Sequence, residues 1–321
     1  MRKMVFVVVL GVVGVATSGG AVALPNDDAG AADSIAETVE RLSPSVAVDL
    51  EPVVVSGGVV STEVDDVLYV FEPSGEIAIS SSDAGAADAV VVGLPTDLGA
   101  DSMEVATDGS LAYLASDDEG VDLSVRALVD GSLQVAVLIP VPDAPHEFTF
   151  PLDVPEGTRL VKGDDGGVLA LSATDDLVIG VGEPWARDAA GGVVETEFRI
   201  DGQSIIQTVH YDGDDYPLVA DPWLGLKLVD EVAHAGTGTS IVYSVYPTAW
   251  GRGVAGFIAR DAAFNEAKAH YPWGFGKPQI RDQFYCHYDM RPTTTFKSSW
   301  NLEIWRPDVG LVKTVLARCN P

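Results

Sequence analysis

Hydrophobic residues along this chain recur at two different spacings, and the change between them falls near Pro222. Upstream, short apolar runs alternate with polar positions at a period of two. Val194, Thr196, Phe198 and Ile200 interleave with Glu195, Glu197 and Arg199, and a new run begins at Ile205 after Asp201-Gly202. Phe148, Phe150 and Leu152 alternate in the same way, and further Asp-Gly steps occur at Asp108-Gly109 and Asp130-Gly131. A period of two puts successive side chains on opposite faces of a strand, and Asp-Gly between such runs marks a tight hairpin turn. Many short strands at regular spacing predict an acidic, antiparallel sandwich-like β domain over residues 50–222. One segment before it breaks the pattern. Ile35, Val39 and Leu42 fall at i, i+4 and i+7 and predict a short helix from Asp33 to Leu42, stopped by Pro44.

Downstream the spacing is mixed. Leu224, Leu226 and Leu228 alternate as one strand, and Ile241, Tyr243 and Val245 as another. From Gly253 to His270, Val254, Phe257, Ile258 and Phe264 form an apolar stripe ended by Pro272, which predicts a helix. Ile280–Met290 and Ser298–Arg306 read as two strands paired in a hairpin across Arg291–Lys297. In the first, Phe284, Cys286 and Tyr288 alternate with Gln283, Tyr285, His287 and Asp289; in the second, Trp300, Leu302 and Ile304 alternate with Asn301, Glu303 and Trp305. A last helix opens at Pro307-Asp308, with Val312, Val315 or Leu316, and Cys319 on one face. Residues 223–321 are therefore expected to form a small α+β domain.

The N-terminus changes the picture of where the protein works. Arg2 and Lys3 precede an apolar run from Val5 to Val15, and small residues end in Ala21-Val22-Ala23. That is the pattern of a secretory signal peptide over residues 1–23, too short to span a bilayer. Residues 24–49 then form a flexible start and the short helix. No later segment reads as transmembrane. The expected location is secreted, extracellular or cell-wall associated.

Charge separates the two regions. The chain carries a net −29. Residues 24–222 hold 6 Lys and Arg against 40 Asp and Glu, a net of −34; residues 223–321 hold 11 against 8, a net of +3. So acidic a β region repels nucleic acid, anionic lipid and anionic wall polymers, and no nucleic-acid partner is expected. Clustered carboxylates at Asp117-Asp118-Glu119, Asp164-Asp165 and Asp212-Gly213-Asp214-Asp215 raise calcium as a question, but none follows the EF-hand loop pattern. Plain solvated turns explain them as well, and no metal or cofactor is expected.

Chemistry is sparse. Two cysteines in an exported chain pair most simply, Cys286 with Cys319, closing a loop worth about 3–4 kcal/mol in the chain-entropy model. The alternative is a catalytic thiol, which neighbouring His287 cannot activate from the opposite strand face. Gly251-Arg252-Gly253-Val254-Ala255-Gly256 matches GxGxxG in form, yet the segment near position 271 lacks the acidic residue a dinucleotide site needs. A glycine-rich helix start with Arg252 can still hold an anion. His146-Glu147 does not continue into HExxH, because position 150 is Phe. The polar face of the predicted hairpin remains. It would gather Arg281, Gln283, Tyr285, His287 and Asp289 with Asn301, Glu303 and Trp305. His287 beside Glu303 suits general acid–base work, while Tyr285 and Trp305 suit stacking on a sugar ring or a base. An ordinary solvated sheet face fits the same residues.

Several blocks occur in order: Trp250-Gly251-Arg252-Gly253, Asp282-Gln283-Phe284-Tyr285-Cys286-His287, Trp300 to Pro307, and Arg318-Cys319-Asn320-Pro321. With these, the region from Trp223 onward resembles an actinobacterial exported family, domain of unknown function 2599. Glu183-Pro184-Trp185-Ala186-Arg187-Asp188 and Tyr216 to Pro222 resemble a β-rich segment common in exported actinobacterial proteins. The resemblance implies export and a two-part layout. It carries no established activity and no catalytic residues. The expectation is binding of a cell-wall polymer or extracellular ligand through the C-terminal region, with the binding residues Arg252, Arg281, Gln283, Tyr285, His287, Asn301, Glu303 and Trp305. A hydrolase or antibacterial effector using His287 and Glu303 is the second reading, and a structural envelope protein the third.

Overall fold

A computed structural model describes residues 30–43, 49–64, 67–81, 89–95, 103–115, 120–254, 256–290 and 297–321. The signal-peptide pattern, Pro44, Asp117-Asp118-Glu119 and residues 291–296 lie outside the described residues. Among the described residues the architecture is mostly β: eighteen strands in one antiparallel network, followed by a small α+β region. No helix among the described residues is long and apolar enough to cross a membrane.

The Asp-Gly turns fall where the pattern puts them. Val193–Asp201 pairs with Ser204–His210 from Glu195↔His210 to Asp201↔Ser204, and Glu147–Asp153 adds to the other side with Phe148, Phe150 and Leu152 buried. Asp130 and Asp108 each accept hydrogen bonds from the backbone and hydroxyl of the serine two residues on, Ser132 and Ser110. One apolar cluster runs through the sheet, from Tyr69 and Phe71 in early strands to Phe148 and Phe198 in later ones.

Helix α1, Ala31–Leu42, lies on a patch of small residues. Ile35, Val39 and Leu42 pack over Ala106, Ala112 and Ala136. Beyond its end, Asp221 is buried and accepts a hydrogen bond from Gln134 Nε2 at 2.5 Å. Burial pushes the Asp221 carboxyl up to about 7, against the pull of Gln134 and Arg126.

In the C-terminal region, strands Val229–Ala235, Val242–Pro247 and Trp300–Glu303 form a second antiparallel sheet. Helices α2 (Ala249–Gly253), α3 (Phe257–His270), α4 (Pro272–Phe275), α5 (Pro278–Asp289) and α6 (Leu311–Leu316) accompany it. Trp300, Leu302 and Ile304 face inward as their alternation requires, and Trp305 is 48% exposed. The expected hairpin is not formed, however. Residues 278–289 are helical, and the strand at Trp300 pairs with Val242–Pro247, Val245 opposite Trp300. Pro278 opens α5 at its first turn, where its missing N–H costs nothing. Ile280, Phe284 and Tyr288 then line one buried stripe at i, i+4, i+8.

The other two helices also differ from their sequence outlines. Residues 249–253 form a separate short helix, so α3 begins at Phe257, whose ring is 63% exposed rather than part of the buried stripe. The last helix begins at Leu311 instead of Pro307. Its apolar residues point outward, Val312 75% and Leu316 80% exposed, while Thr314 and Cys319 are buried.

The second sheet is not an isolated body. Its apolar cluster includes Leu169 and Leu171 from the large sheet, with Trp223 packed against it. Trp223–Gly225 is itself a strand of the large sheet, paired with Gln134 and Leu133 on one side and with Gly180 and Val181 on the other. The ring of Trp250, fully buried at the start of α2, packs closely against this strand. A Cβ on Gly225 would stand 2.0 Å from Trp250 Cδ2, and one on Gly180 2.6 Å from Trp250 Cη2. Only glycine permits that approach. The indole N–H of Trp250 donates to the Trp223 carbonyl at 3.1 Å, and that of Trp223 donates to Ser132 Oγ at 2.9 Å. Nearby, partly buried Glu266 of α3 accepts from the Leu228 N–H at 2.9 Å, and burial pushes its carboxyl up to about 7.

Trp250→Ala should cost about 3–5 kcal/mol in denaturant unfolding, the usual range for a buried Trp truncation. Gly225→Ala should be similarly disruptive, whereas Trp305→Ala should stay within about 0.5 kcal/mol. Equal stability of Trp250→Ala and Trp305→Ala would refute the packing assignment.

Asp221 and Glu266 carry a second prediction. Both bind protons in the folded state at pH values where an unfolded carboxylate does not. Stability from these groups should therefore rise as pH falls from about 7 towards 4, by at most about 1.4 kcal/mol per pH unit each, and the penalty should be complete above about 7. Asp221→Asn should flatten that slope in urea titrations at a series of pH values; an unchanged slope would contradict it.

Candidate functional site

Turning α5 from strand to helix redistributes the residues expected on one polar face. Gln283 is buried and acts on the sheet edge. Its amide donates to the Glu303 carbonyl at 3.1 Å and accepts from the Glu303 N–H at 2.8 Å, so it pairs with the strand as another peptide would. The Glu303 carboxylate is bound to Arg306. Asn301 lies on the open face of the second sheet, where its side-chain oxygen accepts from Ser244 Oγ at 3.0 Å. Arg252 donates to the Ser298 carbonyl at 2.6 Å, and burial lowers its pKa.

The Gly251–Gly256 segment serves close packing. A Cβ on Gly251 would meet the Leu228 carbonyl at 2.1 Å. At the start of α3, a Cβ on Gly256 would stand 3.8 Å from the Asp164 carboxylate, so a negative group already lies beside that helix end.

His287 is buried, and among the described residues its Nε2 has no hydrogen-bond partner. Burial, helped by the charge of Lys297 and opposed by the Asn301 backbone, pushes it down to about 4. No hydrogen bond or ion pair joins His287 to Glu303, and a base this weak is poorly matched to proton transfer near pH 7. Cys286 and Cys319 form a disulfide with Cα atoms 5.4 Å apart, tying α5 to the chain end after α6.

Tyr285 and Arg281 come together, one turn apart on α5. Around them stands a ladder of rings and guanidinium groups. The Arg260 guanidinium sits 4.8 Å from the Phe257 ring centre and 4.0 Å from that of Tyr285, and Arg281 lies 5.9 Å beyond Tyr285. Arg260 is buried and bonded to the Asp289 carboxylate at 2.9 Å. Tyr285 closes one end of a cleft of about 350 Å³ between the C-terminal helices and the large sheet. Asp261 and Asn265 of α3 supply one wall; Arg159 and Asp175, paired with each other, supply the opposite rim. Burial, then the hydrogen bond to Asp261 and its charge, pushes the Tyr285 hydroxyl up to about 12, so it remains a donor at neutral pH.

Asp261, Asn265, Arg159 and Asp175 were not singled out by sequence. Two of them come from the β region and two from a helix 86 to 106 residues further along the sequence, with no motif joining them. A helical reading of 278–289 would have exposed the Arg281–Tyr285 spacing. Among the described residues no group of three or more His, Cys, Asp or Glu is arranged to hold a metal ion.

His287 should show a proton NMR titration midpoint near pH 4. Because its folded pKa is depressed, its contribution to stability should be lost as pH falls from about 6.5 through 4. A midpoint near 6.5 would place the imidazole in solvent and contradict its burial.

Comparisons with known proteins address the same region. Residues 229–321 match the model of a family described as protein of unknown function (DUF2599). Uncharacterized protein Mb0487 of Mycobacterium bovis and Uncharacterized protein Rv0477 of Mycobacterium tuberculosis are each 36% identical to this chain over 99 residues. The match covers 30% of this chain and 66% of each relative, so the chain spans just under two thirds of their length. No solved structure matches. The cleft wall formed by Asp261, Asn265 and Tyr285 thus lies inside the part of the chain, residues 229–321, that matches the DUF2599 family.

Proposed function

We propose that the protein is exported and works as a binding protein, holding a hydroxyl-rich ligand such as a cell-envelope glycan in the cleft closed by Tyr285. The make-up of the cleft carries this reading. Its described lining sets two carboxylates, an amide, a phenol and a guanidinium around a small space. Such groups bond the edges of a polar ligand while the ring offers an apolar surface. The strongly acidic β region favours a neutral or cationic ligand over an anionic polymer, since it repels the latter at long range. The N-terminal leader pattern supports a role outside the cytoplasm.

Calorimetry with the full chain and soluble fragments of neutral wall glycan tests the reading. Tyr285→Phe, Asp261→Asn and Asn265→Ala remove single hydrogen-bonding groups and should each weaken binding about tenfold, at about 1–1.5 kcal/mol per lost bond, with little change in melting. Parental affinity in all three variants would remove the cleft from consideration.

A further inference from the structure

Two clefts border the open end of the hairpin Arg159–Lys162 and Val168–Leu171. Arg159 and Leu171 line the polar cleft, while their chain neighbours Thr158 and Ser172 line a second one of about 360 Å³.

We infer that the second cleft is a binding site for a linear acyl chain. Its walls are aliphatic. Val67, Ile79 and Val90 come from early strands, Leu177 and Val178 from the strand Leu177–Val181, and Leu226 from the segment leading to the second sheet. The described lining contains no aromatic ring, so nothing there stacks on a flat ligand, and a flexible chain is the shape such walls accommodate. Leu177, Val178 and Leu226 are only partly buried, which leaves apolar surface for a ligand to cover. At the rim stand the hydroxyls of Ser80, Thr158 and Ser172. Among the described lining residues, Lys227 and Glu156 carry charges of opposite sign. The rim therefore selects a hydrogen-bonding head through hydroxyl contacts rather than through net charge. This site stands independently of the polar cleft, and either can fail without the other.

The test uses the full chain and neutral monoglycerides with octanoyl, decanoyl and dodecanoyl chains, below their micelle concentrations, with dissociation constants from calorimetry. Each two-carbon step should tighten binding about 15-fold until the cleft is full, equivalent to about 0.8 kcal/mol per methylene. Ala173 lines the cleft but is exposed, so Ala173→Trp should fill the space and abolish binding without lowering the melting temperature. Val178→Gln should weaken binding at least tenfold. Dissociation constants that do not depend on chain length, no binding at any length, or parental affinity in a folded Ala173→Trp or Val178→Gln protein would overturn the site. The chain-length series needs no variant and decides the matter even if a substituted protein does not fold.

Discussion

Much of this molecule depends on how closely one indole can approach one strand. Trp250 lies where Gly225 and Gly180 have no side chains, and a single methyl group at Gly225 would overlap the ring. The contact turns the end of the large sheet into a floor for the C-terminal region. Leu169 and Leu171 thus share an apolar cluster with Phe284, Trp300 and Ile280, residues contributed by the second sheet and its helices. Hydrogen bonds follow the same seam. The Trp250 backbone N–H points to Asp130 at 3.3 Å, its indole to Trp223, and the Trp223 indole to Ser132, which also binds Asp130. Steric and polar complementarity therefore fix the same docking geometry.

That geometry creates the polar cleft. Asp261, Asn265 and Tyr285 belong to α3 and α5, whereas Arg159 and Asp175 belong to the large sheet, so neither part alone encloses the space. The two helices are held by different means. α3 is fixed through Glu266 to the Leu228 backbone, and α5 through Gln283 to the Glu303 peptide and through Cys286 to Cys319. Tyr285 is contacted by the guanidinium groups of Arg260 and Arg281 and makes T-shaped ring contacts with Phe264 and Phe284. A side chain this constrained is already ordered before a ligand arrives, which lowers the entropy cost of binding.

The sequence was legible where one physical signal acted alone. Asp-Gly turns between alternating strands need no tertiary help, and the inward set Trp300, Leu302 and Ile304 followed from period two. The segment 278–289 was ambiguous because its apolar residues satisfy two templates. Phe284, Cys286 and Tyr288 alternate, yet Ile280, Phe284 and Tyr288 also repeat every four residues, and Pro278 is the tie-breaking start signal. The terminal helix misled for another reason: the disulfide and Thr314 anchor it, leaving Val312 and Leu316 in solvent against their hydrophobicity. The polar cleft was largely invisible, since it assembles charged residues that each look like ordinary surface. Only docking of the two regions brings them together.

The central claim is that the two sheets are joined into one cooperative structure by the Trp250 contact. The direct measurement is equilibrium urea unfolding of the full chain, followed by far-ultraviolet circular dichroism for the dominant large sheet and by near-ultraviolet signals from the aromatic-rich C-terminal core. A shared core predicts coincident transitions with one midpoint and one slope. Two separated midpoints, with the C-terminal aromatic signal lost while the β signal persists, would show that the regions fold independently and contradict the account.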